Sequence, residues 1–68
     1  MIVENDLKSY RDKEGITQEK LAAEVGVSRQ TINAIETRKY NPSLELALSL
    51  ANWFNTSVED LFWIYNNG

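Results

Sequence analysis

Apolar residues in this chain recur mostly at helical spacing, and small polar residues or glycines interrupt them at regular intervals. Leu7, Tyr10 and Arg11 share one face of a first segment. Asn5 or Asp6 can cap it, and it runs to about Glu14, where Gly15 is placed to end it. Thr17 can cap a second helix from Gln18 to Glu24, with Leu21 and Val25 one turn apart on its inner side. Gly26 breaks the chain, and Ser28 can cap a third helix that ends near Glu36 and turns Ile32 and Ile35 inward. After a loop from Thr37 to Pro42, Ser43 caps a strongly apolar helix reaching about Trp53. Its expected core stripe is Leu44, Ala47, Leu48, Ala51 and Phe54. Ser57, with Asp60 three residues on, has the form of a capping box and opens a short fifth helix, where Val58, Leu61 and Phe62 close the core.

The two ends differ from this pattern. Met1-Ile2-Val3 and Phe62-Trp63-Ile64-Tyr65 are rich in β-branched and aromatic residues, which favour strands. They can pair as a two-stranded antiparallel ribbon, which would need the helical body or a second subunit beneath it to persist. Fraying of both ends is the alternative. The expectation is therefore a mainly α fold of five helices, with a short terminal ribbon as an added element. It forms a single domain over residues 1–68.

Composition narrows what such a domain can do. At 68 residues the chain buries only about 60% of the surface of its unfolded state, so its core is modest. With no cysteine it has no disulfide or thiolate metal site, and with no histidine it lacks the usual general base and the commonest metal ligand. No nucleophile–base pair, metal cluster or phosphate loop is visible, which argues against an enzyme, a cofactor or a metal. The apolar runs are too short for a membrane span or a signal peptide, and a cytoplasmic location is expected.

The net charge of −3 argues at first against a polyanionic partner. Its distribution changes that. From Ser28 to Asn41 three basic residues, Arg29, Arg38 and Lys39, face one acid, Glu36, whereas elsewhere acids outnumber bases. A small positive patch on an acidic body can dock on phosphates, because nearby charges dominate over distant, screened ones. A chance basic loop on an ordinary acidic surface is the bland alternative.

The informative stretch is residues 18–36. Two short helices meeting at a wide angle need a small residue at their close approach, and Ala22 is there. They need a residue tolerant of positive φ in the turn, which Gly26 supplies, and apolar anchors around the corner, which Leu21, Val25, Val27, Ile32 and Ile35 supply. In register with the hydroxyl cap at Ser28, these features form a helix-turn-helix unit. From Leu7 to Phe62 the chain resembles the Cro/C1-type (Xre) helix-turn-helix family of prokaryotic and phage repressors. Arg11, Gly15-Ile16-Thr17-Gln18, Leu21-Ala22, Gly26-Val27-Ser28, Ile32, Ile35-Glu36 and Asn41-Pro42-Ser43-Leu44 carry the likeness. The resemblance implies a lambda-repressor-like fold of five helices, and a very small regulator of the kind that is little more than its DNA-binding domain.

The resemblance also implies roles that side-chain chemistry supports. The start of a recognition helix enters the major groove, so Arg29, Gln30 and Asn33 are the expected readers of base edges. Thr31 is expected on a phosphate or a thymine methyl, Gln18 on a phosphate at the start of the second helix, and Ser28, Arg38, Lys39, Tyr40 and Asn41 on the DNA backbone. Arg11 and Glu36 match positions that form a buried or half-buried ion pair. The chain departs from the family at Arg38, where many relatives carry glycine in a left-handed turn. Either arginine takes that conformation at roughly 1 kcal/mol, or the turn closes differently.

The expected function is a sequence-specific regulator, a repressor on a palindromic double-stranded DNA operator, with no small-molecule ligand or membrane involved. A homodimer would bury the excess aromatic surface at Trp53, Trp63 and Tyr65, with Ile64 beside them, unless the rings fold back over their own subunit. The competing reading is an antitoxin or other protein-interaction module on the same fold.

Overall fold

The computed structural model describes residues 2–65, in the order β1 (Ile2–Asn5), α1 (Leu7–Glu14), α2 (Gln18–Val25), α3 (Arg29–Glu36), α4 (Leu44–Trp53), α5 (Val58–Leu61) and β2 (Phe62–Tyr65). Side-chain oxygens start four of the five helices as the sequence suggests. Thr17, Ser28, Ser43 and Ser57 accept from the backbone N–H of Lys20, Thr31, Leu46 and Asp60 respectively. At α1 the cap position is Asp6, whose side chain makes no capping bond; Asn5 Oδ1 accepts from the Leu7 amide at 3.2 Å instead. Gly26 ends α2 at φ 77°, and a Cβ there would meet nothing within 4 Å, so the backbone angle alone calls for glycine.

The terminal ribbon forms. β1 and β2 pair antiparallel with Val3 opposite Ile64, Glu4 opposite Trp63 and Asn5 opposite Phe62; Met1, expected at the start of this strand, lies outside the described residues. Residues opposite one another share a face. Val3 and Phe62 pack toward the helices, whereas Glu4, Trp63 and, by alternation, Tyr65 turn outward. Among the described residues no helix is long and apolar enough to cross a membrane.

The helices and the ribbon close on a common cluster that includes Leu7, Leu21, Ala22, Ile32, Ile35, Leu61 and Phe62. α4 enters it in a different register from the one expected. Leu46, Ala47, Leu50, Ala51 and Phe54 are buried, while Leu44 and Leu48 are 73% and 53% exposed. Leucines at 44, 46, 48 and 50 put an i, i+4 pair on each of two nearly opposite faces, since neighbours two apart are separated by about 200° around the helix. Either face could have been the inner one. Packing of α4 against α2 and α5 selected Leu46 and Leu50. Trp53 also differs from expectation. It is half-buried over its own subunit, edge-on to Phe54 at 4.9 Å, and its indole N–H donates to Glu24 at 3.3 Å. Those hydrogen bonds, from Trp53 first and Lys20 second, hold the Glu24 carboxyl below its ordinary range.

One polar cluster fixes α3 on this body. Arg11 Nε donates to Glu36 Oε2 at 2.8 Å and Arg11 Nη2 to Glu36 Oε1 at 3.2 Å, a two-pronged pair whose side chains are only 12% and 5% exposed. Arg11 Nη1 donates to the Ile16 carbonyl at 3.0 Å, and Gln18 Nε2 to Glu36 Oε1 at 2.9 Å. The bonds to Glu36 raise the Arg11 pKa further, against the effect of burial, so this guanidinium is always charged.

Two measurements check this arrangement. Leu50→Ala should cost about 2–5 kcal/mol in urea unfolding, and Leu48→Ala no more than about 0.5 kcal/mol. Reversed costs would mean that Leu48, not Leu50, faces the core. Arg11→Ala leaves the buried Glu36 carboxylate without its counter-charge and should cost about 3–5 kcal/mol. Any fall in its DNA affinity should accompany that loss of stability. Undiminished stability with lost affinity would make Arg11 a phosphate contact.

Candidate nucleic-acid interface

The sequence of α3 sorts its residues onto two sides. Ile32 and Ile35 are fully buried, and the other side carries Arg29, Gln30, Asn33, Ala34 and Thr37 at the i, i+1, i+4, i+5, i+8 spacing of one helical stripe. Together with Lys39 these residues line a shallow open depression. Arg29, Gln30 and Asn33 are exposed, and Ala34 between them is small enough to let another surface approach the helix axis. The three residues expected to read bases are thus brought together on one solvent-facing stripe. Their chemistry suits base edges: a guanidinium matches guanine O6/N7, and two carboxamides match adenine N6/N7.

Ser28 and Thr31 are largely engaged with each other. Ser28 Oγ accepts from the Thr31 amide at 3.2 Å and lies 3.0 Å from Thr31 Oγ1. Their first role is to start the helix that presents the stripe. Gln18 is likewise occupied, its amide nitrogen held by Glu36. It sits with Arg11, Thr17, Glu19 and Arg29 around a second open cleft at the N-terminus of α2. What that cleft offers an anion is the backbone N–H groups of the first turn of α2 beside the Arg29 cation.

Beyond α3 the chain turns through Thr37, whose hydroxyl donates back to the Asn33 carbonyl at 2.9 Å. Arg38 takes the left-handed conformation, at φ 63°, and the turn closes with Arg38 N–H on the Ile35 carbonyl and Lys39 N–H on the Ala34 carbonyl. Arginine therefore occupies the position that favours glycine. Its guanidinium does not hang free: Arg38 Nε donates to the Glu4 carboxylate on β1. Lys39, Tyr40 and Asn41 follow as an exposed run.

Sequence reasoning missed the part of β1 in this surface. Asn5 Nδ2 donates to the Ile35 carbonyl at 2.9 Å while its Oδ1 holds the Leu7 amide, so one side chain ties the end of the ribbon to the end of α3 and the start of α1. Glu4 makes the second tie, to Arg38. Only the closeness of β1 and α3 reveals either contact. They join residues 30 and 34 positions apart, and nothing local in the sequence marks them.

The comparisons agree with this geometry. The helix-turn-helix family model matches residues 7–61. A relative in Methanocaldococcus jannaschii, described as an HTH-type transcriptional regulator, is 53% identical over 60 residues, covering 88% of this chain and 91% of its own. Among solved structures, the restriction-modification controller protein C.AhdI from Aeromonas hydrophila superposes with a TM-score of 0.73 at 30% identity, over 79% of this chain and 82% of that one. SinR, the master regulator of biofilm formation, solved in complex with DNA, superposes with a TM-score of 0.71 at 28% identity, over 78% of this chain and 86% of that one. With the match running from α1 to the end of α5, the chain belongs to the Cro/C1-type helix-turn-helix family of transcriptional regulators and has its DNA-binding fold.

Proposed function

We propose that this protein is a cytoplasmic repressor that binds a palindromic operator as a homodimer, inserting α3 into the major groove. The observation that carries this reading is the exposed Arg29–Gln30–Asn33 stripe on a helix whose other side is fully buried and whose end is fixed by Arg11 and Glu36. A helix held this way presents its base-reading groups at little cost in ordering on binding. In this reading Arg29, Gln30 and Asn33 meet base edges. The backbone amides that start α2 and the exposed Lys39, Tyr40 and Asn41 meet phosphates, which fixes position without reading sequence. Thr31 supports the helix start and approaches the DNA backbone beside it. Repression by occupancy asks no more of the protein than to cover the operator.

Dimerisation is favoured by the exposed apolar residues of β2. Trp63, Ile64 and Tyr65 are 44%, 57% and 47% exposed in a chain with a small core. With Trp53 turned onto its own subunit, the pairing surface reduces to these three residues. A two-fold contact uses the same patch twice and would set two α3 helices on half-sites about 34–36 Å apart.

Selection of bound sequences from random duplex DNA should return a palindromic consensus. Gln30→Ala should then lose about 1–3 kcal/mol of discrimination at one base pair per half-site, whereas Lys39→Ala should weaken operator and unrelated duplex alike and lower the salt slope by about one per subunit. Equal weakening of both duplexes by Gln30→Ala would remove it from the base readers. Sedimentation at micromolar concentration should show a species of twice 7.8 kDa. Trp63→Lys, which puts a cation opposite Glu4 and so preserves the ribbon, should convert it to monomer. A wild-type monomer would refute the dimer.

A further inference from the structure

The contact between Arg38 and Glu4 has no part in the core. Arg38 is half exposed, two residues past the end of α3, and is flanked by Thr37 and Lys39, which line the same depression as the base-reading stripe. Glu4 reaches it from the outward face of β1, whose neighbour Asn5 already holds the end of α3 through the Ile35 carbonyl. Arg38 takes the left-handed backbone conformation there, and its side chain meets the strand. A carboxylate in this place offers the guanidinium what a DNA phosphate offers, a single negative charge carried on acceptor oxygens. An ion pair this exposed is weak, so the arginine can exchange one anion for the other at small cost.

We propose that Glu4 is a built-in competitor for the phosphate that Arg38 would otherwise take. Strand β1 thereby limits the sequence-independent grip of the recognition end on duplex DNA and leaves its base reading untouched. The inference rests on the reading that α3 and its following loop face DNA, and it adds to that reading an intramolecular contact that DNA must displace. The consequence is physical. Phosphate contacts supply nearly all of non-specific affinity and its salt dependence. Holding one cation per subunit in reserve therefore lowers binding to any duplex without altering the ratio between operator and other sequences.

The test compares the wild-type chain with Glu4→Gln, Arg38→Gly and the double variant, titrated against the selected operator and an unrelated duplex over a range of salt. Glycine fits the φ of 63° at position 38, and glutamine keeps the shape of Glu4, so both variants should fold. Glu4→Gln should bind both duplexes about two- to five-fold more tightly per subunit, with a salt slope steeper by about one per subunit and an unchanged operator preference. On the Arg38→Gly background the same change should do nothing. The proposal fails if Glu4→Gln weakens binding or leaves it unaltered, which would make Glu4 an aligner of Arg38 or a bystander. It fails equally if the gain persists without Arg38, which would make it an effect of net charge, or if the variant shifts the sedimentation of the protein, which would place the pair in a subunit interface. Lys39→Ala separates this from the underlying reading. If that variant lowers the salt slope while Glu4→Gln does nothing, only the competition is wrong; if neither changes binding, the loop does not face DNA and both fall.

Discussion

The Glu36 carboxylate is the point on which the placement of α3 depends. Apolar contacts hold α3 against the body through Ile32 and Ile35, but apolar contact is non-directional and leaves roll and slide along the interface soft. Two guanidinium nitrogens and one carboxamide nitrogen, reaching Glu36 from α1 and from the start of α2, remove that softness. The third Arg11 nitrogen on the Ile16 carbonyl locks the turn between those helices to the same centre. A buried pair of this kind adds little net stability beyond what well-packed apolar groups would give. Its contribution is angular: it fixes how α3, with its stripe of Arg29, Gln30 and Asn33, sits on the body.

The same end of α3 carries a second set of ties. Asn5 spends both halves of its carboxamide, one on the Leu7 amide and one on the Ile35 carbonyl, so the ribbon is anchored to the recognition helix as well as to the core. The ribbon itself has one side against the helices and one side toward solvent, with Glu4 and Trp63 paired on the latter. Self-association through Trp63 would therefore lie within one residue of the contacts that hold the end of α3. The strand pairing thus sets Trp63 beside the residues that tie β1 to the end of α3.

Position 38 shows how this fold accommodates an unfavourable residue. Two backbone bonds to the Ile35 and Ala34 carbonyls close the turn, and they require the left-handed angle whatever side chain is present. Arginine accepts a cost of roughly 1 kcal/mol for that angle. In return the chain gains a cation at the edge of the surface that carries Arg29, Gln30 and Asn33, which a glycine there could not provide.

Local chemistry was legible in the sequence by itself, because each feature acts through its immediate neighbours. Hydroxyl caps at Thr17, Ser28, Ser43 and Ser57 and the left-handed glycines at 15 and 26 set the helix boundaries nearly to the residue. The β-branched and aromatic ends set the ribbon. The Arg11–Glu36 pair and the stripe of Arg29, Gln30 and Asn33 followed from the family resemblance and from helical spacing. What the sequence left open were choices between equivalents. Leucines at alternate positions gave α4 two apolar faces, and only its packing against α2 and α5 turned Leu46 and Leu50 inward and left Leu44 and Leu48 outside. Trp53 lay between core and surface by spacing, and Phe54 and Glu24 drew it onto its own subunit. The partners of Gln18, Arg38 and Asn5 were decided last, by which atoms the assembled helices and ribbon brought within hydrogen-bond reach. No local rule contains that information, because each contact joins residues that sequence separates and folding alone makes neighbours.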